Sequence, residues 1–375
     1  MNLALTNIGN KSWIGGTTYL KNFSGIVNTK LKEKISLHLI SEVEQIDINI
    51  KKNFCNIINF KKIKSYKLLF FLSFKFNKIA NKYNIDVFFE STQFLGFFCN
   101  KKVVSWMPDF QHKYYPEYFN FFNYYKRELL FIIKLLIRDR ILLSSENAKN
   151  DCLKFYKVDP KKLYVAPFSI DLDPSNYIDK KEYLKKKYNI TNNFFYIPNQ
   201  FWRHKNHNLI FNFLDQLSEN KEKYDTLPQF IFTGLSEDNR NKNFSNKLIN
   251  RMNHTKYNKK VMYLGLVPLD DVYTLNANCI ALINPSFFEG WSTTVEEAKS
   301  LGTKMLLSDI QIHREQSPNA FFFDPKSINN FSEVIFNFIN DKKNLKYSRN
   351  LEHIKNYVEK RKIEYSNAIE KAFKF

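Results

Sequence analysis

Glycine and proline are scarce in this chain, 9 and 11 of 375 residues, which excludes a low-complexity linker. Cysteine is rarer. Cys55, Cys99, Cys152 and Cys279 stand far apart, with no CxxC and no Cys/His metal spacing, so free thiols in a reducing compartment are expected. No apolar run approaches the ~20 residues of a membrane-spanning helix. The best one, LLFIIKLLIRDRILLSS at 129–145, is broken by Lys134, Arg138, Asp139 and Arg140. The stretch MNLALTNIGNKSWIGG lacks a basic segment leading into a long apolar one, so no signal peptide is expected. These absences together predict a cytoplasmic protein. Negative charge is also short, with 37 acidic against 57 basic residues. Residues 1–170 hold 27 Lys and Arg against 13 Asp and Glu, a net of +14, while the remainder nets +6. A basic first half suits a polyanion or an anionic membrane surface, or is simply a solubilising surface.

What is present is enough apolar sequence, 44%, to fill real cores, in a length that suits two domains. Short apolar or β-branched runs alternate with helix-length segments. Strands are predicted at 2–8, 35–40, 54–60, 86–90, 103–107, 140–145 and 163–167, and again at 194–198, 229–234, 261–265, 279–286, 304–309 and 320–325. Helices are predicted at 16–31, 64–83, 117–138 and 146–156, then at 205–219, 240–252, 269–277, 293–301 and 327–341. Alternation of this kind predicts an α/β protein with parallel sheets covered on both faces. The rhythm restarts after VAPFSIDLDPSNY at 165–177, with Pro167 and Pro174, so a hinge is placed there. The expectation is two doubly wound Rossmann-like domains facing across a cleft, 1–170 and 171–354, with a tail at 343–375 that reads as charged helix. Ligands of such folds sit beyond the carboxyl ends of the strands.

The segment NPSFFEGWSTTVEEAKSLG leaves a predicted strand through a loop into a helix. Thr293 and Glu296 have the spacing of a capping box. Glu289 stands in the strand-end loop and Glu297 one turn into the helix. A helix start suits phosphate, and carboxylates suit sugar hydroxyls. In order, Pro285, Ser286, Glu289, Gly290, Trp291, Glu297, Ala298 and Gly302 resemble the signature of nucleotide-sugar glycosyltransferases of the GT-B fold, especially retaining family 4 (glycosyl transferases group 1). The likeness covers about 260–326, including Ser308, Asp309, Glu315 and Asp324-Pro325. The family's usual Gly-Leu-Pro is replaced by Ser292-Thr293-Thr294, whose hydroxyls are expected to add phosphate or sugar contacts.

The resemblance implies that the C-terminal helix, 355–375, packs back on the first domain, and it implies roles for further residues. Glu289 would contact the donor sugar and Glu297 the ribose. Lys205, in QFWRHKNHNLI, falls on the family lysine for the diphosphate. The family arginine position is Gln200 here, and Arg203 is the candidate replacement, since paired cations neutralise a departing diphosphate. His204 and His207 have no ligand-like neighbours in sequence and are read as surface or supporting residues. Leu266, after the strand at 261–265, joins the donor side. Gly15 and Gly16, placed between the first strand and first helix, permit close backbone approach to phosphate or form a simple tight turn; Thr17 follows on the acceptor side. His112 would touch the donor sugar, with Asp109 beside it on the acceptor side.

The DLD at 171–173 is not read as a metal motif; Ile170-Asp171 resembles the family's Val-Asp pair instead, and no metal or other cofactor is expected. YYKRELLFIIKLLIRDR at 124–140 is either a sheet-covering helix or a monotopic membrane contact.

The expected protein is a metal-independent retaining glycosyltransferase. Its substrates would be a nucleoside-diphosphate-sugar and a surface-glycan acceptor, O-antigen- or capsule-like and polyprenyl-diphosphate-linked, met at the inner face of the membrane. No nucleic acid is expected as a partner. No general base is named, because retention in this fold is ascribed to front-face attack with the leaving phosphate taking the proton. A nucleotide-sugar epimerase on the same fold is one alternative. A non-enzymatic polyanion- or membrane-binding protein is another.

Overall fold

The computed structural model describes the chain apart from residues 7–13, 43–50, 61–68, 92, 236–241, 255–256, 258–259 and 346–348. It divides into two compact units. The first is Met1–Asp171 with Val358–Phe375, and the second is Leu172–Tyr357.

The first unit is built on seven parallel strands, β1 (Asn2–Thr6), β2 (Ser36–Ser41), β3 (Asn56–Asn59), β4 (Val87–Glu90), β5 (Lys102–Met107), β6 (Arg140–Leu143) and β7 (Leu163–Val165). Their spatial order is β3-β2-β1-β4-β5-β6-β7, so the winding reverses between β1 and β4. The second unit has six, β8 (Phe194–Ile197), β9 (Gln229–Phe232), β10 (Val261–Tyr263), β11 (Ala281–Asn284), β12 (Met305–Ser308) and β13 (Phe321–Phe323), in the order β10-β9-β8-β11-β12-β13. Here the reversal falls between β8 and β11. All thirteen predicted strands are present, trimmed by a residue or two at most ends. The inner strands β1, β2, β4, β5, β6, β8, β9, β11 and β12 bury nearly every side chain because helices cover both faces, whereas the edge strands β3, β7, β10 and β13 are part-exposed.

Phenylalanine, with 37 copies, supplies much of the filling. In the second unit Phe195, Phe213, Phe230, Phe331 and Phe338 share one cluster. Phe331, Ile335 and Phe338 recur at helical spacing on the Ile328–Asn340 helix and form its buried face. Each such ring contributes about 1.5–3 kcal/mol relative to exposure.

Local chemistry sets the helix ends. The Phe121–Ile137 helix starts later than the expected 117, because Asn120 caps it by accepting from Asn123 N at 2.8 Å and residues 116–118 form a separate 3₁₀ turn. Ser145 caps Glu146–Phe155 in the same way. Gly302 ends Thr293–Ser300 at φ +64°, with Thr303 N donating to Ala298 O and Gly302 N to Lys299 O. That is a Schellman arrangement, and a Cβ on Gly302 would meet Ile354 Cδ1 at 2.5 Å. The C-terminal helix runs Leu351–Phe373.

Within the first unit, Asp171 is fastened at three points. Its N–H donates to Asn22 Oδ1 at 2.8 Å, its carboxylate pairs with Lys362 at 2.7 Å, and a Cβ at Gly25 would strike it at 2.5 Å. Asp173 instead caps the next turn through Ser175. The two aspartates of the DLD therefore serve separate structural contacts.

Candidate active site

The reversal between β8 and β11 brings two strand-end loops of the second unit side by side, the place where doubly wound folds bind ligands. Lys205 comes from the loop after β8 and Glu289 from the loop after β11. They form a salt bridge at 2.6 Å, with both side chains largely buried. Burial alone would raise the Glu289 pKa. The Lys205 ammonium outweighs that cost and holds the carboxyl down at about 2.

Glu297 is the opposite case. It is buried on the Thr293–Ser300 helix and has no hydrogen-bond or ion-pair partner among the described residues. Burial pushes its pKa up to about 8. A buried carboxyl without partners is costly unless something with hydroxyls or donors arrives to meet it.

The loop between them is organised by a residue that the sequence did not single out. Asn284, the last residue of β11, donates to Ser292 Oγ at 3.0 Å and to Thr294 Oγ1 and Glu289 Oε1 at 3.4 Å, and accepts from Ser286 Oγ at 2.6 Å. The hydroxyls of Ser292 and Thr294 therefore turn inward, with 3.1 Å between them, rather than presenting themselves to phosphate or sugar as expected. Thr293 alone of the three is part-exposed. The expected capping box is also absent. Ser292 occupies the cap position without a side-chain cap bond, and Glu296 accepts from Gln316 Nε2 at 3.3 Å and pairs with Lys299 at 3.5 Å. The cause is tertiary: Gln316 clasps the loop by accepting from Ser292 N at 3.1 Å and donating to Ser292 O at 2.8 Å.

Gln316 and His313 lie on a short helix, Gln311–Gln316, that the sequence reading passed over. His313 Nδ1 is 2.9 Å from Ser308 O, so that nitrogen carries the proton. Nε2 is left as a buried lone pair without a partner. Burial lowers the ring's pKa to about 4, against the pull of Glu289.

Among the cationic residues of the β8 loop, Arg203 is exposed and opens a 3₁₀ turn, Arg203–Lys205. Gln200 is half-buried. A Cβ on Gly234, at the end of β9, would meet Asn199 O at 2.6 Å, so the loops after β8 and β9 touch backbone to backbone. His204 and His207 are buried rather than on the surface. Burial lowers His207 to about 3, and it packs edge-on to Phe201 as a neutral ring. Leu266 is 60% exposed beyond β10, beside Gly265 at φ +70°.

The candidates of the first unit are placed differently. Gly15 and Gly16 lie inside the first turn of the Ile14–Lys30 helix and not in a loop before it, and Thr17 is exposed on that turn; residues 9–13 of the motif fall outside the described residues. His112 is fully buried. Its Nε2 lies 3.0 Å from Glu128 Oε2 and 3.2 Å from Tyr156 Oη, and its ring packs against Phe131 at 5.2 Å. Burial, then Arg127, lowers its pKa to about 4. In this position the ring offers no face to a sugar. Asp109 holds Arg127 at 2.6 Å. Among the described residues, no group of three His, Cys, Asp or Glu side chains converges as metal ligands would.

Other proteins resemble this chain in sequence or in fold. Residues 179–360 match the family of glycosyl transferases group 1. O-antigen chain mannosyltransferase RfbU of Salmonella typhimurium is 25% identical over 233 residues, 61% of this chain and 58% of that protein. This chain thus aligns with less than two thirds of that relative's length. HepE of Anabaena, solved with UDP-glucose, superposes with a TM-score of 0.74 at 15% identity, covering 99% of each chain. A glycosyltransferase from Rickettsia africae superposes with a TM-score of 0.71 at 15% identity, covering 100% of this chain and 98% of that one. At such identities the superpositions speak for the fold alone. The architecture is GT-B, two Rossmann-like α/β units. Residues 179–360 thus resemble a glycosyl transferases group 1 domain.

Proposed function

We propose that this protein transfers a sugar from a nucleoside-diphosphate-sugar to a hydroxyl of a growing surface glycan of the O-antigen type. The observation that carries the reading is the Lys205–Glu289 pair across the β8/β11 switch with the unpartnered carboxyl of Glu297 on the next helix. A diphosphate needs a cation, which Lys205 supplies, with Arg203 in the same 3₁₀ turn. A ribose offers two hydroxyls, which suit Glu297. Glu289, kept ionised, accepts from hydroxyls of the donor sugar. Catalysis is then chiefly positioning and stabilisation of the departing diphosphate. The HepE complex with UDP-glucose and the naming of RfbU as a mannosyltransferase of O-antigen chains support the class of donor and of acceptor.

The transfer proceeds with retention and without a metal ion, and the acceptor is lipid-linked. His112 receives no catalytic role here, because it is sealed inside the first unit.

Thermal-shift titration with UDP, GDP, dTDP and CMP tests the reading. One nucleotide raises the melting temperature, the shift is unaffected by EDTA, and it is lost in Glu297→Ala and Lys205→Ala. Absence of a shift with every nucleotide overturns the proposal. A donor affinity with conversion of the sugar but no transfer to any acceptor moves the protein to the epimerase class. NMR of the anomeric proton in the product decides retention.

A further inference from the structure

The helix Phe121–Ile137 carries two apolar faces. One is expected of a sheet-covering helix: Phe131 and Leu135 pack into a core with Phe110, Ile141, Leu143 and Tyr156. The other is exposed. Phe121, Phe122, Tyr125, Leu129, Ile132 and Leu136 are 70%, 81%, 55%, 59%, 40% and 69% exposed. At the helical 100° per residue these six fall within an arc of about 100°.

The cations that interrupt this stretch in the sequence do not interrupt the exposed stripe. Arg127 reaches inward to Asp109 at 2.6 Å. Arg138 is buried in a two-bond clamp on Glu90, 2.6 Å and 3.0 Å, with Lys134 3.7 Å from the same carboxylate. Lys126 stays on the exposed side. The folded helix is therefore more amphipathic than its linear sequence, and its outer face is close to wholly apolar.

We propose that this face seats in the headgroup–acyl boundary of an anionic bilayer, with the helix lying in the membrane plane. A contiguous exposed apolar stripe of this size marks an interaction surface. No helix among the described residues is long and apolar enough to cross a membrane, so the contact is with the surface. Charge selects the occupant. Residues 1–170 carry a net of +14, which attracts anionic lipid and repels a second copy brought face to face. Phe121, Phe122 and Tyr125 at one end and aliphatic residues along the rest give the face its depth. The seat rests on the proposed function only for its purpose, to bring the enzyme to a lipid-linked acceptor; the binding itself is independent of it.

Flotation of the full chain with vesicles tests the proposal. With about one third phosphatidylglycerol in phosphatidylcholine the protein floats, and with phosphatidylcholine alone it floats markedly less. The triple variant Phe122→Ser, Leu129→Gln, Leu136→Gln lowers the partition coefficient about tenfold or more. Lys126→Glu lowers it about fivefold, an effect that high salt removes. Both variants keep the wild-type melting temperature and nucleotide-induced shift, since the altered side chains face outward. Failure of the wild-type chain to float overturns the proposal, and so does equal flotation of the triple variant. A wild-type dimer, seen by light scattering, that the triple variant dissociates also overturns it and assigns the face to self-association. Flotation that persists in a protein with no nucleotide-induced shift supports the membrane seat and sinks the transferase reading alone.

Discussion

The two units use the same winding and put different chemistry at its reversal. In the second, adjoining loops after β8 and β11 present a cation and two carboxylates in opposite electrostatic states. In the first, the ends of β1 and β4 meet through hydroxyls: Ser91 Oγ donates to Thr6 O at 2.7 Å and lies 3.2 Å from Thr6 Oγ1. A fully buried ion pair at the end of β4, Glu90 with Arg138, braces a helix against the sheet and is closed by Leu95 N and Gly96 O. A buried ion pair is therefore no mark of a site by itself. The difference lies in satisfaction: the Glu90 cluster is complete, whereas the second unit leaves Glu297 without a partner.

The sharpest way to break this comparison is to break both pairs. Lys205→Ala should lower transfer by about 100-fold or more and abolish the nucleotide-induced shift, because it removes the diphosphate cation and strands Glu289. Arg138→Met should cost a similar stability, about 3–5 kcal/mol by urea unfolding, and leave the nucleotide-induced shift in place. Loss of that shift in Arg138→Met would erase the distinction between structural and functional pair.

The two carboxylates should also part company with pH. Glu289 lies below its ordinary 4.5, so its stabilisation is full above about 4.5 and is lost as pH falls toward 2. Glu297 lies above its ordinary value, so its contribution is full below about 4.5 and is lost as pH rises through about 8. Between those limits wild-type stability should decline with pH by on the order of a few kcal/mol, and Glu297→Gln should flatten that decline. If Glu297 is ionised by meeting the ribose, nucleotide binding near pH 7 releases protons. Calorimetry in buffers of different ionisation heat should detect the release in the wild type and not in Glu297→Gln.

Smaller effects refine the picture. Gly302→Ala meets both a left-handed backbone and Ile354, and should cost about 1–3 kcal/mol in thermal denaturation. Gly265→Ala has a similar φ but open space around it, and should cost only about 1 kcal/mol.

Much of this fold is legible in the sequence because parallel strands covered on both faces read as apolar runs, such as FFYI and the ALI of ALIN. Glu289, Glu297 and Lys205 were legible as a family-like set. Their electrostatic states were not, since these depend on burial and on which charge meets which across 84 residues. The inward turn of Ser292 and Thr294 depends on Asn284, and the loss of the capping box on Gln316; both are partners that local spacing cannot reveal. His112 was carried as a sugar contact on the family resemblance alone, and only tertiary packing shows that the ring is sealed.

The pairing of Lys205 with a carboxylate of its own chain has a consequence for selectivity. An anion that approaches Lys205 must displace Glu289, so a stray inorganic phosphate gains little by doing so. A ligand that also supplies hydroxyls for the released carboxylate recovers the loss. The Lys205–Glu289 pair thus quenches itself, and on the proposed function a small anion held only by its charge would compete poorly with a complete sugar nucleotide.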